Sequence, residues 1–322
     1  MVVKRSGADT GRQEVDPSMS QTQVEVFRPA REREVTPGKV ISPRKRSWQR
    51  LRRNRIALVS LVVLAIIHLF ALVAPLIALQ DPNEIAPMLR FQSPNSEHWL
   101  GTDENGRDLF SRLVYGSRVS LLVGLSAMAF SIVLGTLVGL FSGFAGGVVD
   151  AILMRITEGM LSIPLFFFII TALAVLGTEI YKIVIVIGLA SWMTVARIVR
   201  GEVLRSKELM FVEAARSLGA SNLRILFRHV LPLSFPSIIV AATLGVAYAI
   251  LLESSLSYLG LGVQTPTPSW GNMLSNARTY LWSQPWLTVY PGVLIFLTVL
   301  LYNWLGDGLR DALDPSSPER GT

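Results

Sequence analysis

Six long apolar runs alternate with polar segments along the chain. An α-helix rises 1.5 Å per residue, so about 20 apolar residues cross the hydrocarbon core of a bilayer. Each run is close to that length, which predicts an all-α membrane protein with six transmembrane helices. The third run contains Pro164, which a membrane helix tolerates when neighbouring groups satisfy the freed carbonyl. The runs cover residues 56–79, 119–141, 152–176, 183–199, 235–252 and 287–305.

The basic residues are distributed unevenly between the two sides of this arrangement. If residue 1 is cytoplasmic, 24 of the 30 Lys and Arg residues lie on the cytoplasmic side. Lys and Arg resist translocation, so the asymmetry predicts that both termini are cytoplasmic. The first run is too long and begins too late to be the core of a signal peptide. Residues 44–55, which are basic and contain no acid, would meet anionic lipid head groups rather than nucleic acid.

This topology divides the chain into segments. The polar residues at the start predict disorder, because they lack the apolar side chains that a core needs. Three loops are longer than a simple turn, and function is expected there: residues 80–117, 200–234 and 253–286. The predicted organisation is a disordered cytoplasmic tail (1–43), a basic juxtamembrane segment with the first helix (44–80), an extracytoplasmic segment (81–117), a core (118–306) with a cytoplasmic loop (200–232), and a cytoplasmic tail (307–322).

Composition narrows the classes of function. Only 16% of the residues are charged, compared with about 25% in soluble domains, and 51% are hydrophobic. The chain has no cysteine, which excludes disulfides and thiolate metal sites. It also lacks a phosphate-binding G-x-x-x-x-G-K-[ST] loop and a zinc-binding H-E-x-x-H motif. The sequence therefore predicts no catalytic residue, metal site or cofactor in this chain.

Few polar side chains fall inside the predicted helices. His68 lies within the first run, where it is either part of a proton relay or a single polar side chain bonded to a neighbouring helix. Asp150, Glu158 and Glu253 fall at or near helix ends, where water or head groups are expected to reach them. The sequence therefore offers no good buried carboxylate for a stand-alone proton-coupled carrier.

Small residues recur every fourth position along the second run. This spacing places them near one face of the helix, and small residues let helix backbones approach closely in lipid. The stripe predicts a tight seam between helices, either with a partner subunit or within the same chain. Its members are Ala127, Ser131, Gly135, Gly139 and Gly143.

A short amphipathic helix is predicted in the cytoplasmic loop. Ser206 is expected to cap it, Glu208 to supply its early acid, and Gly219 to end it with a left-handed residue. A second helix would begin at Ser221 and end before Pro232. Alanines on the apolar face suit docking into a groove of another protein better than lying flat on lipid. That face is formed by Phe211, Ala214, Ala215 and Leu218.

The same loop contains Glu213-Ala214-Ala215, then Gly219, with Leu231-Pro232 downstream. This pattern resembles the EAA loop of ABC-importer permease subunits. His229 replaces the usual isoleucine, and His-x-Leu-Pro is similar to the peptide and nickel branch of that family, although Leu233 stands where Asn is frequent. Segments 98–121, 257–271 and 303–315 also resemble the C-type subunit of dipeptide and oligopeptide permeases, so the resemblance covers about residues 44–315.

The resemblance implies a type I ABC-importer permease fold and a set of partners. The chain would pair with a second permease subunit and with two ATPase subunits that bind ATP and Mg²⁺, while an extracytoplasmic binding protein delivers peptide. It would be a multi-pass protein of a prokaryotic cell membrane and not an enzyme. The loop residues implied to couple to the ATPase are Glu208, Phe211, Glu213, Ala214, Ala215, Leu218, Gly219, Leu231 and Pro232.

The substrate stays open at this point. Similar permeases move dipeptides, longer peptides, nickel complexes, glutathione or opines, and a stand-alone secondary carrier is the competing class. Tyr248, Tyr258 and Trp270 are candidate pathway residues, with anchoring at the membrane interface as the alternative interpretation. No substrate-binding residue is assigned from the sequence.

Overall fold

The computed structural model describes residues 43–314, which form a helical bundle and contain no β-strand. Residues 1–42 of the predicted tail and 315–322 at the other end lie outside the described residues. The helices are α1 (Pro43–Arg53), α2 (Arg55–Leu72), α3 (Ala74–Ile77), α4 (Leu109–Ala145), α5 (Gly147–Leu161), α6 (Leu165–Leu176), α7 (Ile180–Ser206), α8 (Met210–Ser217), α9 (Asn222–Ile225), α10 (Leu231–Tyr258), α11 (Trp270–Ala277) and α12 (Trp286–Leu313).

Five helices of the described chain are long and apolar enough to cross a membrane: α2, α4, α7, the continuous helix Asn222–Tyr258, and α12. The third predicted span is instead a pair of helices, α5 and α6, bent by 84°. Pro164 stands immediately before α6. Proline lacks the N–H that continues a helix, and its ring clashes with the preceding turn. The expectation of one uninterrupted helix through Pro164 is therefore wrong.

Contacts between helices define their directions. Successive glycines of α4 approach residues of α7 that lie 60 positions further along the chain, so α4 and α7 are parallel. The bent pair α5–α6 must then return the chain across the bundle, which gives six passes when the pair counts as one. The contacting pairs are Gly135 with Val195, Gly139 with Val199, and Gly143 with Val203.

The remaining long helices alternate in direction. Gly124 of α4 faces Ile250 and Met128 of α4 faces Gly245, so α10 runs antiparallel to α4. Gly308 faces Ala57, which places the end of α12 beside the start of α2. The two ends of the described chain and α8 therefore share one end of the bundle, called the α8 end here. Residues 73–108 and 259–285 share the opposite end.

The small-residue stripe of α4 forms the seam with α7 of the same chain. A Cβ atom added at Gly139 would lie 2.5 Å from the carbonyl oxygen of Ala196. Further along the seam, Gly188 of α7 faces the carbonyl oxygen of Ala127. Ser131 is completely buried between these contacts. Of the two interpretations of the stripe, the structure places it within one chain.

The helix formed by the first apolar run ends before the run itself does. α2 ends at Leu72, and the short helix α3 follows with Pro75 in its first turn. A proline is favourable at the start of a helix, where its missing N–H costs nothing, but it cannot continue the preceding one. Residues 56–79 are therefore not one straight span.

α4 is longer than its apolar run predicts. It begins at Leu109, where the Asp108 side chain caps it, so the extracytoplasmic segment predicted as 81–117 already includes helix. Arg112, which lies in the part of the helix before the apolar run, is buried and donates to the carbonyl oxygen of Pro82 at 2.8 Å. Asp108 also contacts His98 at 2.9 Å, and both side chains are buried. These polar contacts fasten the loop before α4 to the helix.

His68 links two helices. Its Nδ1 donates to the carbonyl oxygen of Leu64 at 2.7 Å, so its Nε2 accepts the hydroxyl proton of Tyr302 at 3.0 Å. Tyr302 lies on α12, which packs beside α2. This is the contact expected of a single polar side chain bonded to a neighbouring helix.

Glu253 is completely buried inside α10, and the expectation that water reaches it is wrong. The Ser257 hydroxyl donates to its Oε1 at 2.7 Å and the Ser120 hydroxyl to its Oε2 at 3.0 Å. Ser120 and Ser257 in turn accept backbone N–H groups of Trp270 and Val263. The carboxyl group thus joins α4 and α10 to the loop that carries α11.

Candidate functional site

The α8 end carries the helix that the sequence predicted, with a different start. α8 begins at Met210 with Leu209 as its N-cap, so Glu208 precedes the helix and Glu213 is the acid of its first turn. Ser206 does not cap α8, because it belongs to the last turn of α7 and is buried there. The predicted cap and the predicted early acid are therefore wrong.

Gly219 terminates α8 with φ at +81°. The N–H of Ala220 donates to the carbonyl oxygen of Ala215 at 3.1 Å, and the N–H of Gly219 to that of Arg216 at 3.0 Å. These two bonds define a Schellman motif, in which glycine is preferred because it adopts the left-handed conformation without strain. Nothing lies within 4 Å of a Cβ built at Gly219, so its backbone conformation, and not space, requires glycine.

One side of α8 is anchored and the other is exposed. Val212 is 0% exposed and belongs to the main core, and the half-buried Ala215 packs against that core. Leu218 is 88% exposed, and Phe211 and Ala214 are also exposed. The helix therefore presents most of its predicted apolar face outwards. An exposed apolar face on a short helix of this kind is suited to docking into a groove of a protein partner.

The exposed apolar surface is larger than the sequence analysis proposed. Met210 adds to it at the start of α8, and Leu223 and Phe227 extend it into the following helix. The i, i+4 spacing of Leu223 and Phe227 places them on one helix face, which is the signal that could have identified them. These six exposed residues are called the α8 surface here: Met210, Phe211, Ala214, Leu218, Leu223 and Phe227.

The helix after α8 does not end before Pro232, as the sequence predicted. It begins after Ser221 and continues through α9 and α10 as one helix, Asn222–Tyr258. A π-helical turn at Leu226–Val230 precedes Pro232, and the N–H of Leu231 donates to the carbonyl oxygen of Leu226. The wider π turn moves the carbonyl groups away from the proline ring, so the helix continues. A continuous helix thus connects the α8 surface to the opposite end of the bundle.

An ion pair supports the junction of α5 and α7 near α8. The Arg200 guanidinium contacts both carboxylate oxygens of Asp150, at 2.6 and 2.7 Å. Lys207, directly after α7, donates to the carbonyl oxygen of Gly143 at 3.1 Å. Bidentate contacts of this kind fix orientation as well as distance. They hold α4, α5 and the end of α7 together where the chain turns into α8.

The site contains groups for docking rather than for catalysis. Within residues 43–314, no group of three or more His, Asp and Glu side chains could hold a metal ion. Glu208 and Glu213 are exposed, and Pro232 and Leu209 both line a cavity at the α8 end. The arrangement can bind a protein surface through apolar contacts flanked by carboxylates.

Two sequence profiles match the chain. The family described as the binding-protein-dependent transport system inner membrane component matches residues 135–317. The N-terminal TM domain of oligopeptide transport permease C matches residues 42–94. The first match includes α8 and all helices after it, and the second includes α1, α2 and α3.

Relatives are similar over most of their length. The dipeptide transport system permease protein of Alkalihalophilus pseudofirmus is 42% identical over 85% of this chain and 90% of that protein. The oligopeptide transport system permease protein of Bacillus subtilis is 39% identical over 86% and 91%. The glutathione transport system permease protein of Pectobacterium atrosepticum is 39% identical over 86% and 92%.

A solved structure shows the same fold. The MetNI methionine ABC transporter in an inward-facing conformation aligns with a TM-score of 0.50 at 18% identity, covering 63% of this chain and 96% of that chain. The fold is that of a type I ABC-importer permease, as the resemblance implied. By its profile match, its relatives and its fold, this chain belongs to the family of binding-protein-dependent transport system inner membrane components, the permease subunits of ABC importers.

Proposed function

We propose that this chain is the C-type permease subunit of an ATP-driven importer of dipeptides and oligopeptides in a prokaryotic cell membrane. The observation that carries the proposal is the exposed α8 surface on a permease whose relatives are named for dipeptide and oligopeptide transport. A second permease subunit completes the pathway, and an extracytoplasmic binding protein delivers the peptide.

In this proposal the α8 end is cytoplasmic, in agreement with the predicted charge asymmetry. Two ATPase subunits bind ATP and Mg²⁺ there, and one of them receives the α8 surface in a groove. Phe211 and Leu218 provide apolar contacts, and Ala214 permits close approach of the two backbones. Glu213 meets a basic or polar group of the ATPase.

Coupling in this proposal uses α8 as a lever. ATP-driven closure of the ATPases displaces α8, and the displacement passes into α7 and into the continuous helix Asn222–Tyr258. A partner shifts an equilibrium only by binding one state better than the other. In this proposal the contacts between the α8 surface and the ATPase differ between the open and the closed ATPases, and that difference shifts the equilibrium. Alternate opening of the pathway to each side follows.

The test is peptide uptake by the complete importer in proteoliposomes. Wild type is expected to take up dipeptide only with ATP, the ATPase subunits and the binding protein present. Glu213→Lys and Gly219→Pro are expected to abolish uptake while the chain remains in the membrane, and Glu213→Asp serves as the conservative control. Normal uptake by both disruptive variants would contradict the proposal. Uptake by this chain alone, driven by a proton gradient, would favour a secondary carrier.

Glutathione is the second candidate substrate, because a relative named for glutathione transport covers this chain as fully as the peptide permeases do. Competition distinguishes the two. Unlabelled dipeptide is expected to inhibit uptake of labelled dipeptide, whereas glutathione or a nickel complex at the same concentration is not. Stronger inhibition by glutathione would reassign the substrate within the same class of importer.

A further inference from the structure

A groove runs between α7 and α10 from the middle of the bundle to the α8 end. It consists of a cavity of about 410 Å³ in the middle and one of about 800 Å³ towards the α8 end. Ile198, Ala241 and Leu244 line both cavities, so the two cavities are adjacent. We infer that this groove is the wall that this chain contributes to the peptide pathway, and that its middle part binds apolar side chains of the transported peptide. The inference rests on the proposed function.

Methionines from three helices line the middle of the groove. Met128 comes from α4, Met160 from α5 and Met193 from α7. Unbranched thioether side chains adapt to differently shaped partners and are frequent at promiscuous binding surfaces. A cavity of this size matches the range of about 300–1,000 Å³ that is usual for small-molecule sites. Both properties suit an importer whose peptides share a backbone and differ in their side chains.

Two hydroxyl groups also face the middle of the groove. Thr194 and Tyr248 line the same cavity, and both side chains are exposed. Among the described residues neither hydroxyl group has a hydrogen-bond partner. Polar groups at membrane depth normally face a water-filled cavity or the bundle interior, because unpaired polar groups are costly in lipid. These hydroxyl groups can meet the peptide backbone, whose N–H and C=O groups also need partners away from bulk water.

The groove becomes charged towards the α8 end. Glu202, Arg205 and Arg310 line this part, and the Ser237 hydroxyl donates to Oε1 of Glu202 at 2.7 Å. Oε2 of Glu202 is 3.4 Å from Arg205. Glu202 and Arg205 neutralise each other, and Arg310 adds a positive charge that the carboxylate of a peptide can approach, whereas a lipid chain has no group to meet it. The apolar middle and the charged exit together favour a peptide as the occupant.

Gly245 lines the middle cavity next to Met128. A Cβ atom added there would lie 2.2 Å from the sulfur of Met128. The side chain of Met128 is flexible, so Gly245→Ala is expected to push the methionine into the cavity rather than to separate the helices. This substitution narrows the proposed binding space and leaves Thr194 and Tyr248 in place.

Cysteine accessibility tests the location of the pathway. The chain has no cysteine, so Thr194→Cys provides one thiol in this subunit, in an importer whose other subunits are made cysteine-free. A membrane-impermeant methanethiosulfonate is expected to modify this thiol in assembled, transporting proteoliposomes. Alanyl-leucyl-alanine is then added at about ten times its dissociation constant for the importer. The rate of thiol modification should fall about tenfold, because only about a tenth of the sites stay free. Val133→Cys is the control. This position of α4 is exposed but lies outside the groove, so its thiol is expected not to react.

Peptide selectivity provides a second readout. Gly245→Ala is expected to raise KM for a leucine-containing tripeptide by roughly tenfold relative to a trialanine peptide, as when a methylene must fit a smaller pocket. If Thr194→Cys fails to assemble, Tyr248→Cys replaces it. A thiol that stays unreactive, reactivity unaffected by peptide, or equal KM changes for both peptides would overturn the groove assignment. Absence of peptide uptake by wild type would instead contradict the proposed function.

Discussion

Gly139 of α4 lies against the backbone of α7 so closely that a Cβ atom would come within 2.5 Å of the Ala196 carbonyl oxygen. The neighbouring atoms are backbone atoms and the Cβ atom of Val199, which cannot rotate away as the end of a flexible side chain can. The seam between α4 and α7 therefore depends on the absence of a side chain at this position.

Replacement of Gly139 by alanine is expected to destabilise the subunit. Overpacking of a well-filled interior costs about 1–3 kcal/mol, because the two backbones must separate. The measurement is thermal unfolding of the purified subunit in detergent. Gly159→Ala on α5 is the matched control, since nothing lies within 4 Å of a Cβ atom built there. Equal melting temperatures for the two variants would refute the close-packed seam.

Leu218→Gln is expected to weaken binding of the ATPase without unfolding the subunit. Leu218 is exposed in this chain, so the change removes little from its own core. In the assembled importer the side chain would be buried, and loss of its burial costs about 1.5–3 kcal/mol, which is roughly tenfold or more in affinity. Co-purification of the ATPase and peptide uptake provide the readouts. Leu218→Met, which keeps an apolar side chain, should bind normally, and unchanged binding of the Gln variant would count against the docking role.

Glu253→Gln is expected to loosen the loop that carries α11. The Ser120 and Ser257 hydroxyl groups donate to Glu253 and accept N–H groups of the loop. An amide nitrogen would face one of these hydroxyl donors, and a buried unsatisfied group costs about 1–3 kcal/mol. Faster proteolysis within residues 259–285 is the expected result. Glu208→Gln, at an exposed position, is the control, and identical protection of both variants would remove this role from Glu253.

Stability is expected to depend on pH through Glu104. Burial raises the pKa of this carboxyl above its ordinary value of 4.5, the Asp103 carboxylate adds to the rise, and Arg107 opposes it. The folded state therefore binds the proton more tightly than the unfolded state does. The stability from this group is complete below 4.5 and is lost as pH rises through the folded-state pKa.

Thermal unfolding between about pH 4 and 7 tests this expectation. The melting temperature of Glu104→Gln should fall less across this range than that of wild type, because the variant cannot ionise. Glu97→Gln, at an exposed position of the same loop, should retain the wild-type slope. A Glu104→Gln curve parallel to wild type would show that the carboxyl does not contribute.

The chain's prolines show why the helices were easier to predict than their interruptions. The length of the apolar runs identified the transmembrane segments. Whether a proline interrupts its helix depends on the residues packed around it. Pro164 separates α5 from α6, whereas Pro232 follows a π turn and lies within a continuous helix. Whether the surrounding carbonyl groups can rearrange is a property of the packed bundle, which the local sequence does not reveal.

For helix α8 as well, the sequence predicted one end and not the other. Its end could be predicted, because Gly219 has no Cβ atom and therefore adopts the left-handed conformation without strain. Its beginning could not, since Ser206 is a good cap by composition and is instead buried in α7. Glu253 was misplaced for a related reason: its partners Ser120 and Ser257 include a residue from a distant helix. Tertiary contacts decided both positions.

The parallel seam between α4 and α7 mechanically connects the two ends of the bundle. α8 follows directly after α7, so a pull on α8 cannot slide α7 alone: its register with α4 is locked at three successive glycines. α4 has 37 residues and therefore reaches about 55 Å, to the cap at Asp108 and the loop fastened there. In the proposed importer, a displacement of α8 by the ATPase would therefore also displace the loop at the opposite end of the bundle.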